Sequence, residues 1–106
     1  VDSTHRLLAA LVERDLGGAA ALFSPSACVW WSQRGELANV DGPAAAARAL
    51  VDLLEREPIT RITVHASKCN AVTSAYAGEA ICWTLELQVA NDTIVGGYLR
   101  GTTLAS

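Results

Sequence analysis

The stretch from His5 to Trp31, HRLLAALVERDLGGAAALFSPSACVWW, constrains the fold more than any other part of the chain. Leu7, Leu8, Leu11 and Val12 recur at the spacing of one helical face, with Arg6, Glu13 and Arg14 on the other faces. Ser3 or Thr4 can cap the start of that helix. Asp15 is placed to cap a short second helix with Leu16, Ala20 and Phe23 as its inner stripe. Gly17–Gly18 permits close packing there at some cost in helix propensity. Ser24–Pro25 is expected to end this helix, because proline disfavours helical geometry in the residue before it. Ala27 to Trp31 then reads as an apolar strand.

After a turn at Ser32 to Gly35, Glu36 to Val40 reads as a short strand. Asp41-Gly42-Pro43 is a strong helix start, with Asp41 as cap and proline at the first position, where its missing N–H costs nothing. The cap role is expected to account for Asp41 fully. The third helix carries Ala46, Leu50, Leu53 and Leu54 on one face and stops at Glu57–Pro58. Thr60 to Ala71 alternates, with Ile62, Val64 and Ala66 on one side and Arg61, Thr63, His65 and Ser67 on the other. Tyr76 to Ala90 reads as the longest strand, with a turn near Tyr76–Gly78. Ile81, Trp83, Leu85 and Leu87 face one way, and Cys82, Thr84, Glu86 and Gln88 the other. Asn91–Asp92 fits a two-residue hairpin turn, and Thr93 to Leu104 the return strand, with Gly96–Gly97 as a bulge.

Three helices followed by long antiparallel strands is the α+β pattern. Residues 1–106 are expected to form a single domain. Its curved antiparallel sheet should form a cone around the helices, which pack in the concave face, and the enclosed space is the natural ligand site. The chain carries a net charge of −3 with its basic residues scattered, which argues against nucleic-acid binding. No apolar run approaches the ~20 residues that span a bilayer, so no membrane partner is expected. Cys28, Cys69 and Cys82 have neither an even count nor C-x-x-C spacing, so neither a disulfide framework nor a zinc site is expected. With no signal-peptide pattern at the start, a cytoplasmic protein without cofactor or metal is the expectation.

The segments Leu8-Ala9-Ala10-Leu11, Asp15-Leu16, Ala21-Leu22-Phe23 and Ser26-Ala27-Cys28-Val29 carry a resemblance. They are followed in order by Val40-Asp41-Gly42-Pro43 and Thr93-Ile94-Val95. Together they resemble the nuclear-transport-factor-2-like (NTF2-like) superfamily, in its ketosteroid-isomerase and SnoaL-like polyketide-cyclase branch. The resemblance implies a cystatin-like α+β roll and a dimer. It also implies a tyrosine donor, an aspartate base and a second acid; the matching positions hold Leu7, Trp31 and Leu99. Proton abstraction beside a carbonyl needs a base and an oxyanion donor. Steroid isomerisation by the usual apparatus is therefore rejected. The Asp-Arg-Asp set of the epoxide-hydrolase branch is missing too. Family members usually have one more strand after the Thr93 to Leu104 segment; Ser106 falls about where it should begin, so the expectation is a domain lacking that final strand, with either a trimmed chain or an open sheet edge.

Leu7, Trp31, Leu50, Trp83, Leu85 and Leu99 are the expected lining of an apolar pocket, the alternative being that the tryptophans simply fill a core. A small hydrophobic ligand is the first functional reading. The second is a cyclase, isomerase or hydrolase with relocated chemistry. Glu79 shares parity with Ile81 and Trp83, so it is the candidate acid or base, unless it sits at the solvated rim. The third is a non-catalytic domain that dimerises through its outer sheet face around His65, Thr84 and Glu86 and buries Trp30 as well. His5 should be solvated, and either Tyr98 or Arg100 turns inward only if the Gly96–Gly97 bulge flips it.

Overall fold

The computed structural model describes residues 3–56 and 58–102. Its elements run α1 (Ser3–Val12), α2 (Leu16–Ala20), β1 (Phe23–Gln33), β2 (Glu36–Asp41), α3 (Pro43–Arg56), β3 (Arg61–Ala66), β4 (Asn70–Ala77), β5 (Ala80–Ala90) and β6 (Thr93–Arg100). The strands form one curved, open sheet in the order β2-β1-β6-β5-β4-β3, with the three helices packed on one face. All neighbouring pairs are antiparallel except β1 and β6, which run parallel. That exception follows from the chain path: β2, α3 and three further strands intervene before β6 returns to lie beside β1. Glu57 and residues Thr103 and Leu104, placed by sequence in the α3 stop and the last strand, lie outside the described residues.

Asp15 caps α2 as expected, its carboxylate accepting the Gly18 N–H at 3.0 Å. The cap of α1 comes from elsewhere. Ser3 and Thr4 lie inside the helix and are buried, and the Ser3 N–H donates to Asp92 Oδ1 at 3.1 Å from the β5–β6 turn. Arg14 closes the other end of α1: its Nη1 donates to the Leu11 and Val12 carbonyls, and its Nε to Glu55 at 2.8 Å. Pro43 takes the first position of α3, but the carboxylate of Asp41 turns away from it, accepting from Asn39 Nδ2 at 2.8 Å and Cys28 Sγ at 2.9 Å. Asp41 is thus held by its neighbours on the strands, not by the helix N-terminus.

The strand boundaries differ from expectation in two places. α2 ends at Ala20, and Pro25 sits within β1, where the β1–β6 register shifts between Phe23 and Cys28. A bulge tolerates a residue without an N–H, so proline here bends a strand instead of stopping a helix. The stretch from 60 to 90 holds three strands, not two: β3 turns at 67–69 into β4, which pairs with both β3 and β5.

The inner face of the sheet and the helices share one apolar cluster, including Leu7, Leu11, Phe23, Val29, Trp31, Leu50, Leu53, Leu87 and Ile94. At Gly97 an added Cβ would meet Leu87 Cδ2 at 3.0 Å and the Glu86 carbonyl at 3.3 Å. Glycine there lets Leu87 cross β6 closely.

Candidate functional site

The side chains expected to line a pocket lie in the buried core cluster, and of them Leu99 alone borders one of the five concavities described. Trp31 pairs with Leu99 across β1–β6, Leu99 with Leu85 across β6–β5, and Leu7 and Leu50 join the same cluster from α1 and α3. Trp31 is 1% exposed and Trp83 3%. The three positions that the resemblance assigns to a donor, a base and a second acid therefore sit inside the fold, and all three are apolar. Leu99 also borders a surface notch of about 380 Å³ with Tyr98 and Gly101.

Two polar atoms interrupt this interior. Trp83 Nε1 and Thr73 Oγ1 are buried and have no hydrogen-bond partner. Both side chains are on the inner face, since Thr73 pairs with Leu85 and Trp83 with Ala75 across β4–β5. The contrast with Trp31 is direct, because its indole N–H donates to Gln33 Oε1 at 3.2 Å. The indole can only donate, whereas the threonine hydroxyl can donate and accept. Leaving such a group unpaired in a dry interior costs about 1–3 kcal/mol. Among the described residues, the other buried polar side chains are Ser3 and Thr4, at the start of α1, where Ser3 Oγ likewise has no hydrogen-bond partner.

A cleft of about 480 Å³ opens beside this region, lined by Val12, Arg14, Leu54, Ile59 and Ile62 among others. Ile62 pairs with Ala75, and Ala75 with Trp83, so the backbone of Ile62 on the cleft wall is two strand spacings, ~10 Å, from that of Trp83.

Glu79 is not in this interior. It lies exposed between β4 and β5, which are joined by Gly78 and Glu79. The parity argument fails at the register shift between Ala75 and Tyr76, which also leaves Ile81 59% exposed, not facing the core. A carboxylate in water has no route to interior chemistry. The bulge near the glycine pair is at Val95, between the pairs Gln88–Gly96 and Val89–Ile94. Tyr98 and Arg100 consequently point outward, and Arg100 pairs with Glu86 at 3.1 Å.

The outer face reads as cross-strand rows. His65, Val72, Glu86, Tyr98, Trp30 and Asn39 form one row, in that order from β3 to β2. Asn70, Gln88, Gly96, Cys28 and Asp41 form the next. Burial, followed by the hydrogen bond to Asp41, pushes the Cys28 thiol above its ordinary pKa, against a lowering by Asn39. Cys28 is thus a thiol that donates to Asp41, not a nucleophilic thiolate. Thr73 does not stand out in the sequence. The only signal for Thr73 is a period-2 reading of Ala71 to Ala75, which places Thr73 on the same face as two alanines.

No helix of the described residues is long and apolar enough to cross a membrane. Among the described residues no three His, Cys, Asp or Glu side chains gather to hold a metal ion.

No protein-family model matches the sequence, and no curated protein matches it either. Solved structures do resemble it. A Sinorhizobium meliloti protein provisionally classed as a polyketide cyclase superposes with a TM-score of 0.65 at 17% identity, over 92% of this chain and 93% of that one. An NTF2-like protein of unknown function from Cytophaga hutchinsonii gives 0.63 at 6% identity, over 97% and 87% of the two chains. A Kribbella flavida protein provisionally classed as a ketosteroid isomerase gives 0.58 at 15% identity, over 92% and 73%. At these identities the likeness is one of fold, and the fold that this chain shares with them is that of the NTF2-like superfamily.

Proposed function

We propose that this chain binds a small, largely apolar molecule carrying one hydrogen-bonding oxygen, held between the sheet and the helices. The observation that carries this reading is the pair of unpartnered buried polar atoms, Trp83 Nε1 and Thr73 Oγ1, in an otherwise apolar interior. An oxygen of the ligand can accept from either of them, and apolar surroundings suit the rest of its surface. Entry by way of the cleft at Val12, Leu54 and Ile62 is part of this proposal. Binding is preferred here to catalysis because no carboxylate or histidine is among the buried residues described. The likeness in fold to proteins provisionally classed as cyclases and isomerases is consistent with a small-molecule ligand.

The test uses a naphthyl ketone, 6-propionyl-2-dimethylaminonaphthalene, whose emission shifts to the blue in apolar surroundings. Saturable binding with one site per chain is expected. Thr73→Val, which keeps the shape and removes the hydroxyl, should weaken it by roughly 3- to 10-fold, the equivalent of one hydrogen bond. Thr73→Ser should bind within about twofold of the parent. Absence of saturable binding, or binding that is indifferent to Thr73→Val and to Trp83→Phe, would overturn the reading.

A further inference from the structure

The cleft beside β3 has a chemistry of its own, apart from any passage through it. Its walls come from the ends of α1 and α3 and the start of β3. Val12, Leu54, Ile59 and Ile62 make them apolar, and Arg14 and Arg61 are the only charged side chains in the lining. The volume of about 480 Å³ lies within the ~300–1,000 Å³ range of small-molecule sites. The two arginines are held differently. Arg14, at φ 61° just after α1, gives Nη1 to the Leu11 and Val12 carbonyls and Nε to Glu55 Oε1 at 2.8 Å. Glu55 balances its charge, and Nη2 takes no part in these bonds. Arg61 is in none of the ion pairs among the described residues. Its guanidinium carbon lies 4.2 Å from the centre of the ring of Tyr76, its register partner across β3–β4. A guanidinium stacked on a ring keeps its N–H donors in its own plane, clear of that ring.

We propose that this cleft binds an amphipathic monocarboxylate, with its apolar body on Val12, Leu54, Ile59 and Ile62 and its carboxylate at the arginines. Charge sets the head group. With Arg14 balanced by Glu55, the lining carries one uncommitted positive charge, that of Arg61. A carboxylate matches it in charge and fits the planar fork of a guanidinium. A phosphate monoester carries about −1.5 to −2 and calls for more than one free cation. Exposed apolar surface sets the size. Among the described residues, Val12 is the one exposed large apolar side chain that lines the cleft; Leu54, Ile59 and Ile62 are already partly buried. A stable contact with another chain takes about 800 Å² on each partner around an apolar centre. One exposed valine is far from that, whereas a concave apolar floor beside a cation suits a small molecule. An acid held here needs neither Thr73 nor Trp83, so this proposal stands apart from the interior ligand.

The experiment is a calorimetric titration of the intact chain with three probes of closely similar shape: 1-naphthaleneacetate, its neutral amide, and the cation 2-(1-naphthyl)ethylammonium. The acetate should bind about 3- to 10-fold more tightly than the amide, and the cation more weakly than either. Added salt should narrow the gap between acetate and amide, because Arg61 is exposed. Arg61→Gln should bring the acetate to the level of the amide and leave the amide unchanged. Val12→Asn should weaken both alike. Thr73→Val should bind the acetate as the parent does. Equal binding of acetate and amide, or an acetate preference that survives Arg61→Gln, would overturn the proposal. Loss of acetate affinity in Thr73→Val would also overturn it, by moving the acid to the interior. So would a chain that binds none of the three; if sedimentation then showed a dimer that Val12→Asn dissociates, the occupant of the cleft would be a second copy.

Discussion

Thr73 and Trp83 bear a cost that their neighbours on β4 and β5 do not. A buried hydroxyl without a partner is unfavourable by about 1–3 kcal/mol, and replacing it with a methyl group of the same shape removes that penalty. Thr73→Val is therefore expected to raise the stability of the ligand-free chain by about 1 kcal/mol, read as a higher urea midpoint with unchanged m-value. A variant that gains stability while losing affinity for the ketone probe separates a ligand-directed hydroxyl from a structural one. If Thr73→Val proved destabilising, Oγ1 would have a structural partner. The sequence does not reveal this residue, because its significance lies in what is missing around Oγ1. Leu7, Trp31 and Leu99 are legible for the opposite reason. Each is an apolar residue at a strict period, and the structure buries all three.

At the scale of elements, the clearest local signals are legible and the long-range ones are not. Asp15 caps α2 and Pro43 begins α3 because both effects act within one turn of helix. The boundary between β3 and β4 is invisible in the sequence because Ser67, Lys68 and Cys69 include neither glycine nor proline and the alternation continues through them. The cap of α1 is hidden for a different reason: Asp92 lies 89 residues from Ser3 in sequence. It does three things at once. Its Oδ1 accepts the Ser3 N–H, its Oδ2 pairs with Arg6, and its backbone sits at φ 58° beside Asn91 at φ 52° in the hairpin turn. The ion pair is exposed and contributes little. The cap is worth about 1 kcal/mol, and a non-glycine residue without a polar side chain pays roughly another 1 kcal/mol at positive φ. Thermal unfolding should therefore rank the substitutions. Asp92→Asn keeps acceptor and turn and loses least. Asp92→Gly loses the cap only, and Asp92→Ala loses the cap and strains the turn. Equal losses for glycine and alanine would show that the turn conformation at this position carries no cost.

For the whole molecule, the two faces of one sheet differ in burial, and Trp30 and Trp31 mark the division. They are adjacent in sequence, yet one is 40% exposed on the outer face and the other 1% exposed in the core. Period-2 alternation makes that contrast readable from the sequence alone. What alternation cannot give is the cleft at the start of β3, because Val12 and Leu54 reach it from α1 and α3. A chain of 106 residues has a total stability of roughly 5–15 kcal/mol. Removing a buried tryptophan costs about 3–5 kcal/mol, through lost burial and the cavity left behind. Trp31→Ala should accordingly lower the urea midpoint by a fifth or more, or prevent folding. Trp30→Ala forfeits only partial burial on the outer face and should cost under about 1 kcal/mol. Trp31→Phe serves as the check if the alanine variant does not fold, since it keeps most of the apolar volume and should retain a cooperative transition. The outcome that would contradict the two-face division is a comparable loss from Trp30→Ala, because Trp30 would then be part of what holds the fold together.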